Sequence, residues 1–387
     1  MPEIRINDFD YGLPEEKIAQ SAAEPRDSSK LLHYRKGDIA DHVFRDLPDL
    51  IPLGATLFFN DAKVIPARIL LKNSTGARIE VFLLQPHAAD YFTAINARHT
   101  VEWTCLVGNR KKWKPGEVLE ANVGEVRLQV RQENEQVVRF SWNGEWPFLH
   151  VLEHLGKMPL PPYIKHESGE DDRVRYQTVY SRTPGSVAAP TAGLHFTADV
   201  FSRLKDHQVD SQYLTLHVSA GTFLPVKTEN ALEHVMHTEM FSVRKETLDS
   251  MSEAKHIIAV GTTSCRVLES LYWCGVNILR KDREPFRIPQ FPSADAMPES
   301  NEALRALIGY CHANQIDEIH GETSIMITPG YRFRFIKGLV TNFHQPKSTL
   351  LLLIAAFIGE NWKKVYQHAL AENYRFLSYG DSSFLEP

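Results

Sequence analysis

Ionisable side chains recur at the ends of apolar runs in this chain, where groups able to move protons or hold an anion are most useful. In Pro190-Thr191-Ala192-Gly193-Leu194-His195-Phe196-Thr197 a histidine follows a glycine turn and precedes a threonine able to cap a helix. His217 opens a second segment that continues through Gly221 and Thr222. Asn342, His344 and Lys347 share a third, and a fourth ends in Tyr379-Gly380-Asp381. Histidine titrates nearest neutrality, so several histidines with Glu239 and Asp381 suit general acid–base work or hydrogen bonding. A single histidine would more often be a satisfied core residue. His234, His237 and Glu239 are close in sequence, yet no His-Glu-x-x-His or comparable ligand spacing is present, so no metal site is expected.

Val260-Gly261-Thr262-Thr263 reads as the junction of a buried strand with a helix, where exposed backbone N–H groups favour a carboxylate, phosphate or hydroxyl ligand. A threonine capping its own helix explains the same residues. Arg266 and Glu269 tip the reading towards a ligand, although they would also make an ordinary i,i+3 ion pair. Lys347, just before an apolar helix, is placed either to reach a phosphate or ribose oxygen or to lie solvated on a capping turn. No Gly-x-Gly-x-x-Gly follows a predicted strand, so the common dinucleotide fingerprint is missing.

These segments need a scaffold, and periodicity suggests one. Short strands are predicted over 77–84, 101–107, 125–130 and 136–140, separated by Gly, Asn and Pro turns and without intervening helices. That pattern predicts a small antiparallel β-barrel. Elsewhere helices are predicted over 198–205, 245–255, 264–273, 302–314, 349–358 and 361–373, with buried strands at 256–260 and 325–327. The expected fold is therefore a layered α/β main domain, discontinuous over 1–62 and 148–387, with the β-barrel domain inserted at 63–147. The tract 279–300, with four prolines and no periodicity, reads as a surface excursion.

An apolar share of 43% is ordinary for a chain that buries a core, which excludes a disordered protein. The uncharged apolar run 350–358 is far shorter than the ~20 residues that span a bilayer. No signal-like apolar segment opens the chain, so a cytoplasmic protein without membrane association is expected; a monomer is expected as well. The four cysteines show no paired spacing and read as buried thiols. A net charge of −5 argues against a nonspecific polyanion binder but leaves room for a local basic face. Two candidates for RNA contact exist. Arg110, Lys111, Lys112 and Lys114 concentrate charge in a predicted loop of the barrel that could equally be a solvated run; Arg332 and Arg334 alternate with aromatics, which a half-buried strand explains better.

Taken in order, these segments resemble the S-adenosylmethionine:tRNA ribosyltransferase-isomerase family of queuosine biosynthesis. The likeness runs from Phe9-Asp10-Tyr11 to Ser378-Tyr379-Gly380-Asp381 and includes 60–68 and 158–164. It implies transfer and isomerisation of the ribosyl unit of S-adenosylmethionine onto 7-aminomethyl-7-deazaguanine at the tRNA wobble position, giving epoxyqueuosine, adenine and methionine. S-adenosylmethionine is then a co-substrate, no further cofactor is implied, and the partner is tRNA carrying a modified wobble base. From residue type and motif position His195 is assigned the base, Glu239 or Asp381 the proton donor or amine-orienting group, and His217 and His344 hydrogen-bonding roles. Substrate contacts are assigned to Thr191, Gly193, Gly221, Thr222, Gly261, Thr262, Thr263, Arg266, Glu269, Asn342, Lys347 and Tyr379, with Arg266 suited to the methionine carboxylate. The chain departs from the family pattern at Ser219, where glycine is usual, at Gln345 for leucine, at Lys337 for an acidic residue, and in a longer stretch between 270 and 321. Those departures leave open a paralogous transferase with another acceptor. A non-catalytic RNA-binding relative fits less well with so many ionisable groups at motif positions.

Overall fold

The structure, a computed structural model, describes residues 3–219, 226–293 and 297–387. Four apolar segments run parallel through a ten-stranded mixed sheet in the order Asp210–Leu216, Ala55–Asn60, His256–Val260 and Ile336–Asn342. Every residue of Ala55–Asn60 is buried, as expected of a strand covered on both faces. Beyond Ile336–Asn342 the sheet continues through Ser382–Glu386, Lys30–Arg35 and Asp38–Val43. Beyond Asp210–Leu216 it continues through Glu239–Arg244, Glu318–Thr323 and Arg287–Ile288.

The helix Gly261–Leu279 follows directly from the strand His256–Val260 and is buried along most of its length. It packs flush against the helix Ser300–Ala313 because Gly275 presents no side chain; a Cβ there would lie 2.1 Å from the Ala303 carbonyl oxygen. Thr349–Ile358, the most apolar helix, is capped by Ser348, whose Oγ accepts from the Leu351 N–H at 3.2 Å.

A second sheet of seven antiparallel strands curls into a half-barrel. Its spatial order is Gly156–Lys157, Arg68–Lys72, Arg78–Pro86, Thr100–Gly108, Val137–Trp142, Val126–Gln132 and Val118–Val123. Period-two burial gives it its own core around Trp103, Leu128, Phe140 and Phe148. The two-stranded pairing of Ala62–Val64 with Thr183–Ser186 lies between the two sheets in sequence. The mixed α/β character predicted from sequence is present, and each predicted helix is found within a few residues of its expected bounds, except that 264–273 is the middle of a longer helix.

Three local expectations are corrected. Residues 325–327 are buried but form no strand, because their polar backbone is met individually: Ile325 N–H by Thr323 Oγ1 at 3.2 Å, Ile325 O by Arg266 and Met326 N–H by Gln290 O. Residues 332–335 are a loop rather than a half-buried strand, since the Glu269 carboxylate takes N–H groups that a ladder would use. The tract 279–300 is more than a surface excursion, because Arg287–Ile288 adds an edge strand against Glu318–Thr323. Among the described residues no helix is long and apolar enough to cross a membrane.

Candidate active site

The parallel strands share one carboxyl-terminal edge, where their connections diverge and leave a crevice. Asn60, Leu216, Val260 and Asn342 end the four strands, so segments far apart in sequence meet there. Asn60 ties two ends together, accepting from Leu216 N–H at 3.0 Å and donating to Leu216 O at 3.1 Å. The crevice holds a cavity of about 720 Å³, open in part to solvent, walled by Thr191, Thr262, Thr263, Asn342, His344 and Gln345 with Tyr163 and Ser378.

At Gly261 the chain turns from strand to helix with φ +87°, a left-handed conformation that favours glycine. No side chain among the described residues caps this helix, so the threonines after the turn do not serve the capping role that sequence allowed. Thr263 Oγ1 is buried and has no hydrogen-bond partner among the described residues. Uncapped N–H groups beside an unpartnered hydroxyl form a surface for an oxygen-rich or anionic ligand.

Across the cavity Asn342 is held from every side. Its Oδ1 accepts from Thr191 Oγ1 at 3.1 Å, and its Nδ2 faces Leu377 O at 3.3 Å, Asp381 O at 3.5 Å and His195 Nε2 at 3.2 Å. That network fixes the amide orientation, so His195 Nε2 accepts and Nδ1–H donates to Ser29 Oγ at 2.7 Å. The ring also stacks on Phe44 at 5.0 Å. Burial first, then the charges of Arg375 and Arg26, pushes the His195 pKa down to about 3. His195 is not among the residues lining the cavity and meets it through Asn342.

His344 does line the cavity. Its nitrogens make only long contacts, Nε2 to Thr341 Oγ1 and Nδ1 to Tyr366 Oη, both 3.4 Å, and burial lowers its pKa to about 3. His217 stacks on Tyr91 at 4.4 Å, has Nδ1 unpartnered among the described residues and is lowered to about 4 by burial. Gly185 allows that approach, since a Cβ there would lie 2.8 Å from His217 Nδ1.

A second recess adjoins the cavity, walled by Ser219, His234, His237, Glu239 and Arg266, and Leu350 lines both. Arg266 pairs with Glu239 rather than with Glu269. Glu269 lies apart: its buried carboxylate accepts from the N–H groups of Arg334 at 2.9 Å and Phe335 at 3.0 Å and from Tyr331 Oη at 2.9 Å, and burial raises its pKa. Asp381 accepts from Arg375 N–H at 2.7 Å and Lys30 N–H at 3.0 Å, which locks its turn outside the cavity lining. Tyr379 donates to Asp172 Oδ1 at 3.2 Å, and Lys347 pairs with Asp10 at 2.9 Å, so both are occupied with their own neighbours. Gly193 is required by packing, because a Cβ would meet Tyr180 Oη at 1.8 Å. Gly221 and Thr222 lie outside the described residues.

Arg110–Lys112 forms a 3-10 turn on the half-barrel; Lys111, Lys112 and Lys114 are exposed while Arg110 faces Glu135 at 3.5 Å. Arg332 is exposed, and Arg334 stacks over Tyr272 at 5.1 Å. Cavity residues that motif reading did not assign are Tyr163 and Ser378, joined at 2.5 Å, and Ser219 in the recess. Tyr163 ends a Pro-Pro-Tyr run whose stiffness was the available signal.

A doubly covered parallel sheet with a polar crevice at its carboxyl edge defines an α/β ligand-binding class, and comparison narrows it. The family model described as "Queuosine biosynthesis protein" matches residues 6–385. A protein of Desulfitobacterium hafniense named S-adenosylmethionine:tRNA ribosyltransferase-isomerase is 39% identical over 99% of this chain and 100% of its own length. One of the same name from Caulobacter vibrioides is 40% identical over 99% of this chain and 98% of its length. A solved S-adenosylmethionine tRNA ribosyltransferase from Thermotoga maritima is 26% identical, covering 97% of this chain and 99% of that one, with a TM-score of 0.47. The chain belongs to the queuosine biosynthesis protein family.

Proposed function

We propose that this chain is a transferase-isomerase that moves the ribosyl unit of S-adenosylmethionine onto 7-aminomethyl-7-deazaguanine in the tRNA anticodon, giving epoxyqueuosine and releasing adenine and methionine. The full-length similarity to relatives of that name supports the activity. The observation that carries the site is the unpartnered Thr263 hydroxyl beside an uncapped helix start, inside a cavity at the strand ends. The sulfonium acidifies the adjacent ribose carbon and a base takes that proton. The carbon bonds to the anomeric carbon as adenine leaves with a proton from the acceptor amine, the amine bonds to the ribose carbon that releases the ring oxygen, and that oxygen closes the epoxide as methionine departs with the C–S electron pair. His344, whose two nitrogens make only long contacts in the cavity wall, is the imidazole placed to hold the donor by hydrogen bonds. His195 acts as a positioning residue by holding Asn342, Asp381 fixes the turn behind it, and Glu269 anchors the far end of the strand that Asn342 ends.

The division into 1–62 with 148–387 and an inserted unit at 63–147 belongs to this proposal; the separate apolar core of the half-barrel supports it, with Gly156–Lys157 returning to its edge. The enzyme would work in the cytoplasm, where its RNA substrate is. Contact with RNA is proposed for Lys111, Lys112, Lys114 and Arg332, which are exposed. Neutralising the three lysines is expected to weaken tRNA binding and to flatten its salt dependence by roughly 0.7 in log–log slope for each phosphate that a lysine had neutralised. An unchanged slope in a filter-binding titration places the RNA elsewhere.

The activity is tested with donor labelled separately in the methyl group and the ribose. Ribose label should enter wobble-modified tRNA while methyl label leaves with methionine. Methyl label in the RNA, or formation of S-adenosylhomocysteine, overturns the reading. Turnover of the donor with a different amine would instead favour the paralogous transferase, which the departures at Ser219 and Gln345 keep in view.

A further inference from the structure

The recess beside the cavity contains buried donors that the described residues do not satisfy. Arg266 is 7% exposed and Glu239 3%. One guanidinium nitrogen, Nη1, meets Glu239, and Nε donates to Ile325 O at 3.1 Å. The remaining nitrogen, Nη2, has no partner among the described residues, and neither has Ser219 Oγ, although both atoms are shielded from water. Ser219 N–H donates to Glu239 Oε1 at 3.0 Å, which places the Ser219 residue against the same carboxylate. Buried donors without partners are costly, and here two of them converge on one recess beside an ion pair, where a ligand could complete both.

We propose that this recess holds the α-amino-carboxylate end of the donor, with Arg266 Nη2 and Ser219 Oγ donating to the carboxylate and Glu239 facing the ammonium. The inference rests on S-adenosylmethionine being the donor and names the part of the site that takes its amino-acid tail. Charge favours a zwitterion: the Arg266–Glu239 couple is neutral as a pair, so a bare anion such as phosphate would meet Glu239 as well as Arg266. Met236, Ile327 and Leu353 supply apolar walls for a methylene chain. Leu350, common to recess and cavity, marks where the tail would pass into the chamber bearing Thr263 and His344. Ser219 Oγ is a second buried donor beside Arg266 in the same recess.

Calorimetric titration of the full chain with S-adenosylmethionine and with its decarboxylated analogue tests this directly. The wild type is expected to prefer the carboxylate-bearing donor by roughly 30-fold, as a charge-assisted pair allows. Arg266→Lys keeps the charge but loses the planar fork and should narrow that preference about tenfold; Ser219→Gly should narrow it a few-fold. Ser219→Gly deletes an unpartnered hydroxyl, so it keeps the test open should Arg266→Lys fail to fold. Donor binding with the same preference in wild type and variants, or no preference at all, overturns the subsite while leaving the ribosyl transfer standing. Loss of affinity for aminomethyl-bearing tRNA in Arg266→Lys, with the donor preference intact, also overturns it by giving the recess to the acceptor. Failure of the wild type to bind either donor and to release adenine overturns the subsite and the proposed function together.

Discussion

The surroundings of His195 and those of Arg266 are both deeply buried and both polar, yet they are finished to different degrees. Around His195 both ring nitrogens, the Asn342 amide, the Thr191 hydroxyl and the Ser29 hydroxyl are joined in one hydrogen-bonded set. Around Arg266 and the neighbouring helix start, Arg266 Nη2, Ser219 Oγ and Thr263 Oγ1 are left over among the described residues. Burial is alike in the two places; one is a neutral set and the other holds an ion pair, and only the second keeps donors unused. A polar cluster complete within itself is scaffold, and one with donors to spare is where a ligand is received.

Acid should break the finished region around His195 together with two other histidines whose pKa burial lowers, His344 and His217. His195 and His344 have pKa values lowered to about 3, and His217 to about 4, against an ordinary 6.5. Because the folded state disfavours their protonation, their contribution is fully present above pH 6.5 and is lost as pH falls from 6.5 towards 3–4. At pH 5 each costs about 2 kcal/mol, or about 6 kcal/mol for the three, relative to neutral pH. Denaturant titrations at pH 7.5 and pH 5 measure the difference, and His344→Gln should remove about one third of it. Equal stability at the two pH values would mean that these rings are not held neutral.

Glu269 sharpens the contrast from the scaffold side. Glu269→Ala strands buried N–H groups at Arg334, Phe335 and Ile336 and the Tyr331 hydroxyl, at a cost of roughly 4 kcal/mol. Donor affinity of the molecules that remain folded should stay near wild type; a selective loss of affinity would move Glu269 into the site. Thr263→Val is the opposite case and the smallest effect. It removes a hydroxyl with no partner among the described residues, so stability should change by less than about 1 kcal/mol while donor binding weakens by about five- to tenfold. A stability loss with unchanged binding would erase the distinction between the two regions.

The cavity wall was legible where local pattern and site coincide. Gly261, Thr262 and Thr263 follow a short apolar run and precede a long one, which is enough to place them at a strand–helix junction. Asn342 and His344 were legible from their motif alone, since the strand Ile336–Asn342 that brings them to the cavity was not predicted. Roles inside the polar segments were not, because a motif names residues without saying where their hydrogen bonds end. Arg266 and Glu269 are one helical turn apart and invite pairing, yet Arg266 turns to Glu239 across 27 residues and Glu269 to a loop more than 60 residues away. The missing strand at 325–327 has a related cause: its apolar side chains announced burial, while its backbone partners are scattered over the nearby Thr323 hydroxyl, the Arg266 guanidinium and the Gln290 carbonyl.

The place of Ser382–Glu386 has a consequence for how the chain reaches its folded form. This strand is interior: it pairs antiparallel with Ile336–Asn342 on one side and parallel with Lys30–Arg35 on the other. The hairpin Lys30–Arg35 with Asp38–Val43, among the earlier segments to leave the ribosome, joins the main sheet through it alone among the described residues. Until residues 382–386 have been translated, that hairpin has an open edge and nothing native to pair with, the circumstance in which nascent chains most need a chaperone. A stop codon before Ser382 would therefore not trim the protein but cut its sheet in two.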